Sequence, residues 1–210
     1  MKKHYLAVFV VGALTIASTS YAQFGGLPLG GLMGGSKQAN SAGDLGGHQD
    51  QLVRSYVAAG KDVMTANGYL ADALGIKAQS VNAAATSDSI SAKDIEEQDK
   101  AISADATAVS EALKSGATLK DAEAKATYAK GLISLASGVR KYIGMQKDAQ
   151  GFASGLSSAS LLQVGKLQSG AYIVKNLPSS VSNLTRVLSS AVEFAKSNGV
   201  EIPKDATSLL

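Results

Sequence analysis

Cysteine is absent from all 210 residues. That excludes disulfides, thiol redox chemistry and Cys-ligated metals. Tryptophan is absent too, aromatics make up 5% of the chain, and there are 3 prolines. Of the 2 histidines, His4 lies in the N-terminal segment, which leaves His48 alone in the rest. A His/Cys zinc site cannot be assembled from that inventory. Charge of one sign is also lacking. The 20 Lys+Arg and 17 Asp+Glu give +3, and setting aside Lys2 and Lys3 leaves +1. A polybasic nucleic-acid binder needs a concentrated positive field, so that class is not supported.

The first 22 residues read as a cleaved secretory signal peptide. Lys2 and Lys3 form a short basic start, Tyr5 to Ala17 is an apolar core, and Ser20-Tyr21-Ala22 offers small residues for cleavage after Ala22. The apolar run is shorter than the ~20 residues that span a bilayer, and no later segment approaches that length. The expectation is an exported protein with no transmembrane helix in the mature chain. The short leader looks bacterial, which points to the periplasm or the exterior. No cysteine follows it, so lipoprotein processing is excluded.

Residues 23–48 hold nine glycines, with Phe24, Leu27, Leu29, Leu32, Met33 and Leu45 between them. So much glycine has too much backbone entropy to lose for a regular element. The stretch reads as a flexible arm. The repeated Gly-Gly-Leu gives it an apolar character that a Gly/Ser linker lacks. Two readings fit: a plain disordered tether, or an adhesive arm in which Phe24, Leu27, Leu29, Leu32 and Met33 order against a partner or membrane surface.

From Gln49 the apolar spacing is helical. One helix is expected over 49–74, with Val53, Val57, Gly60, Met64, Asn67 and Ala71 on its stripe and Gly75 as its stop. A short Ala-rich helix is expected over 76–85. The next helix starts at Ser91 with Asp94 in its first turn. It carries a seam of Ile95, Ile102, Ala106, Val109 and Leu113, keeps Glu96, Glu97, Asp99, Lys100 and Asp105 mostly on the wet face, and ends at Gly116. A third, capped by Thr118, is expected to reach about residue 150. The Gly/Ser-rich stretch 151–160 reads as a break. Helices over 158–175 and from Ser180 to Asn198 are separated by a stop at Leu177-Pro178, and 200–210 reads as a tail. The expected fold is all-α: an up-and-down bundle of about five antiparallel helices over 49–199. Ala, Gly and Ser make up about two-fifths of the chain. Seams of such residues let helices approach closely but bury little area.

Catalytic patterns are thin. Glu-x-x-His does not occur, so a di-iron carboxylate centre is not supported. Glu96, Glu97 and Asp99 cluster without the loop spacing of a calcium hand. Gly151-Phe-Ala-Ser-Gly155 lacks the spacing and preceding strand of a nucleophile elbow. Acids at helix surfaces and caps are the default for the carboxylates. Met33, Met64, Met145 and His48 could ligate haem, but Cys-x-x-Cys-His is absent. Tyr56, Tyr69, Tyr128, Tyr142 and Tyr172 are spread over the helices and read as a polar-tipped inner layer or the rim of a pocket. Residues 49–111 hold 10 acids and 5 bases, whereas 112–210 hold 6 acids and 12 bases. The two halves therefore attract, either within one bundle or between copies.

The sequence thus leads to a non-enzymatic exported helical protein, without cofactor or metal, that binds or scaffolds in a bacterial cell envelope. Two alternatives stand beside it. One is a periplasmic carrier of a small apolar ligand or lipid, held in a groove lined by small residues. The other is a self-assembling surface or matrix component.

Overall fold

The computed structural model describes residues 41–78 and 90–210. The leader, residues 23–40 of the arm with Phe24, Leu27, Leu29, Leu32 and Met33, and most of the short helix expected over 76–85 lie outside the described residues. The described residues fold into helices with no strand. In order they are α1 (Ser41–Leu74), α2 (Ala92–Lys114), α3 (Ala122–Gly144), α4 (Gln146–Ser157), α5 (Leu161–Val164), α6 (Gln168–Ser197) and α7 (Lys204–Thr207). No helix among them is long and apolar enough to cross a membrane.

The centre is an antiparallel pair, α1 against α3. Leu70 lies against Gly131 and Val63 against Gly138. Tyr56 meets the ring of Tyr142 with centroids 4.9 Å apart and planes at 85°. Along these three pairings one helix ascends as the other descends. Ala59, Ala66 and Ala73 recur every seven residues on α1, and Gly131 and Gly138 on α3; the three alanines and both glycines are buried. This heptad of small side chains brings the two backbones into contact. A Cβ added to Gly138 would stand 2.6 Å from Val63 Cγ2 and 3.1 Å from the Ala59 carbonyl oxygen.

The remaining helices pack around that pair. α6 runs in the same direction as α1: the Gln49 side chain accepts from the Gly170 amide at 3.1 Å, and farther along Tyr56 reaches Ser180. α2 begins beside the start of α6, where the Ser169 hydroxyl donates to the Ile90 carbonyl at 3.2 Å. It then passes Tyr56 and Asn67 in turn. The directions of α1, α2 and α6 thus depart from a simple up-and-down order. α4 extends α3 past a one-residue break at Met145, and α7 folds back on α3 through an Arg140–Asp205 ion pair at 3.2 Å.

Local chemistry explains most boundaries. Ser91 and Asp94 form a reciprocal capping box, with the Asp94 amide donating to Ser91 Oγ and the Ser91 amide to Asp94 Oδ2. Gly75, Gly116 and Gly199 end α1, α2 and α6 at φ of 68°, 78° and 63°, a conformation glycine adopts without steric cost.

Several boundaries differ from the sequence expectation. α1 starts at Ser41, so residues 41–48, counted there with the arm, are helical, and Leu45 is buried in the core. α3 is capped by Asp121 rather than Thr118, through the Ala124 amide at 2.8 Å. Much of the Gly/Ser-rich stretch forms α4, because Ala149 and Phe152 bury one side of it. The expected stop at Pro178 lies inside the 30-residue α6. The C-terminal tail carries α7, with Ala206 and Val200 buried.

Candidate functional site

Where α1, α2, α3 and α6 converge, the interior becomes polar. Tyr56 of α1 is fully buried, and its hydroxyl donates to Asp99 Oδ2 at 2.8 Å. Tyr172 of α6 donates to the same oxygen at 3.1 Å. Ser180 Oγ lies 3.3 Å from the Tyr56 hydroxyl and 3.2 Å from the Asn176 carbonyl, with one proton to give to either. The Tyr142 ring closes the centre on the α3 side. Each residue is placed by its helix. Tyr56 is one turn from Leu52 and Gly60 on the buried face of α1, and Asp99 is one turn from the buried Ile95 of α2.

The electrostatics follow from burial. Taking the Asp99 carboxylate out of water raises its pKa above the usual carboxylate value, and the two hydroxyl donors only partly counter this. Burial also pushes Tyr56, Tyr142, Tyr172 and Tyr128 upward, and the neighbouring Asp99 charge adds to the first three. The four phenols therefore remain protonated donors at neutral pH. None offers a phenolate base or nucleophile.

A second polar strip adjoins this centre between α1 and α2. Asn67, Gln98 and Asp105 are buried. Asn67 Nδ2 donates to the Ile102 carbonyl at 3.4 Å. The Gln98 amide packs on the bare Cα face of Gly60.

The sequence singled out the tyrosines but not their acceptor. Tyr56, Tyr142 and Tyr172 meet at one carboxylate. Tyr128 is buried apart from them and donates to the Ala191 carbonyl at 3.1 Å, and Tyr69 is on the surface. The charge pattern places Asp99 and Asp105 mostly on the wet face of the helix; the structure buries Asp105 and half-buries Asp99. The seam spacing held the signal. Ile95, Gln98, Ile102, Asp105 and Val109 alternate by three and four residues, so Gln98 and Asp105 fall on the buried stripe. Glu96 does face water, paired with Lys100 at 2.7 Å. In the 151–155 stretch, Ser154 is helical and donates to the Gln150 carbonyl. His48 is exposed on α1.

At the opposite end of α1, a cleft of about 240 Å³ is lined by Asp72, Gly75, Lys120, Asp121, Glu123 and Thr127, among others. It is polar and open. Exposed apolar side chains stand elsewhere: Leu162 at 87% and Val164 at 36% beside the α4–α6 connection, and Ile133 at 53% on α3.

No family model, curated protein or solved structure matches the chain.

Proposed function

We propose that the protein is an exported, non-enzymatic binding or scaffolding component of a bacterial cell envelope. In this reading the helical bundle is the base, and the apolar segment Phe24–Met33, with the outward Leu162 and Val164, makes the contacts. The observation that carries it is how the interior is filled. The small residues of α1 and α3 that could have lined a ligand groove bring the helix backbones together instead, with Leu70 Cδ2 only 2.8 Å from where a Cβ on Gly131 would lie. Asp99, the carboxylate at the polar centre, is occupied by the protein's own tyrosines. Both features weigh toward recognition at the surface and against a carrier with an internal apolar ligand.

The test is capture of partners from solubilised envelopes by mature protein, followed by native mass spectrometry. The variant to compare lacks residues 23–40, so that α1 stays whole. The full mature chain is expected to retain a second protein or a second copy, and the deleted form to lose it with helical content unchanged. A bound mass of a few hundred daltons that survives the deletion would replace this reading with the carrier. Unchanged capture by the deleted form would remove the arm from it.

A further inference from the structure

Apart from the tyrosines, the buried polar side chains of the described residues gather at one interface: they are Asn67, Gln98 and Asp105. Gln98 and Asp105 belong to α2, and Asn67 faces it through a long bond to the Ile102 carbonyl. The α2 seam of Ile95, Gln98, Ile102, Asp105 and Val109 is therefore polar at two of five positions. The half-buried Asp99 carboxylate belongs to the same helix. The α1–α3 seam is of another kind: around Gly131 and Gly138 it is closed by alanine, glycine, valine and leucine, and Asp62 bonds Ser137 and Lys141 at its edge.

The Gln98 amide is held in an unusual way. A Cβ on Gly60 would stand 2.7 Å from Gln98 Nε2 and 3.0 Å from Cδ, so the group lies against a glycine that makes room for it. Neither Nε2 nor Oε1 has a hydrogen-bond partner, and Asn67 Oδ1 has none either. All three atoms are shut off from bulk solvent. A buried amide without a partner forfeits the hydrogen bonds that water would give it. Docked α2 therefore carries a cost that separation from α1 removes.

The geometry points to α2 as the bundle's detachable element: it undocks from α1 and α6 as a unit while α1 and α3 remain paired. Separation returns the Gln98 and Asn67 amides to water and frees the Tyr56 and Tyr172 hydroxyls from Asp99. It uncovers the α1 face around Gly60 and Asn67. The apolar burial given up is chiefly that of Ile95, Ile102, Ala106 and Val109. The connections over 75–91 and 115–121 keep the helix tethered at both ends. This inference concerns the bundle alone and does not depend on the arm.

Native-state hydrogen exchange on the full mature chain tests it, read at increasing low concentrations of denaturant. The α2 amides are expected to exchange through a sub-global opening, at least 10-fold faster than the slowest amides of α1 and α3 and with a weaker denaturant dependence. Gln98→Met keeps the side chain's length and removes its orphaned polar atoms. It is expected to slow α2 exchange about tenfold. Exchange of α2 in step with α1 and α3 would overturn the inference. So would α2 rates that Gln98→Met leaves unchanged.

Discussion

Gly138 of α3 is held against Val63 of α1 with no room for a methyl group. A Cβ there would stand 2.6 Å from Val63 Cγ2 and 3.3 Å from the Val63 backbone nitrogen. Gly68, also in α1, has nothing within 4 Å of the same position. The same substitution should therefore have opposite signs at the two sites. In a helix interior, Gly→Ala gains roughly 0.5–1 kcal/mol from backbone entropy. At Gly68 that gain is free, so Gly68→Ala should raise the midpoint of urea unfolding. At Gly138 it is outweighed by overpacking of about 1–3 kcal/mol, so Gly138→Ala should lower the midpoint. Equal shifts at the two positions would mean the α1–α3 backbones are not in contact.

Leu45 tests where the bundle begins. It stands in a Gly-rich stretch, between Gly43 and Gly46-Gly47, yet it is 7% exposed and packs against Gly155 of α4. Leu45→Ala is expected to cost about 2–3 kcal/mol, the lower part of the range for a leucine removed from a core. A cost below about 0.5 kcal/mol, typical of surface substitutions, would return residues 41–48 to the arm. The measurement is chemical denaturation of the mature chain.

Asp99 sets an acid-range dependence whose sign follows from its raised pKa. Burial holds its folded-state value above the ordinary aspartate range, so the folded protein binds this proton more tightly than the unfolded chain. The stabilisation is complete below the unfolded value and is lost as pH rises through the folded one. Asp99→Asn removes the titration and keeps an oxygen for Tyr56 and Tyr172. Unfolding free energies of the two proteins, taken from about pH 3 to about pH 7, should diverge in favour of the asparagine variant as pH rises, then run parallel. A difference that does not change with pH would mean that burial does not control this carboxyl.

The helices and their caps were readable because they are local. The Ser91 capping box and the glycine stops at 75, 116 and 199 depend on a few neighbouring residues. The all-α class follows from apolar spacing. The convergence of Tyr56, Tyr172 and Asp99 is not local: it joins positions 43 and 73 residues apart. A charged residue in a run of acids is assigned to solvent unless the seam register is traced across it. Gln98 and Asp105 show that the register alone would have turned part of that run inward. Direction was hidden for a related reason. Alternation of antiparallel neighbours assumes short connections, and 75–91 is long enough for α2 to begin beside the start of α6.

Pro178 supplies the last prediction, because the sequence and the structure treat it differently. Proline lacks an amide hydrogen and crowds the preceding turn, so Leu177-Pro178-Ser179-Ser180 reads as a stop followed by a new cap. In the structure α6 passes through it. Its buried residues Gly170, Ile173, Leu177, Leu184, Leu188, Ala191 and Ala195 stay on one face across the proline. Two side chains bond the helix backbone on either side of it. Asn176 Nδ2 donates to the Tyr172 carbonyl at 2.9 Å, and Ser180 Oγ reaches the Asn176 carbonyl. The proline ring itself is exposed, so a smaller residue there removes no core contact. Proline in a helix interior costs about 3 kcal/mol relative to alanine. Pro178→Ala is therefore expected to stabilise the protein by about 1–3 kcal/mol, with the full propensity difference as the upper end. That corresponds to a Tm increase of several degrees in thermal unfolding. If the helix instead ended at Leu177 and restarted at Ser180, the alanine would relax a turn and leave Tm unchanged or lower.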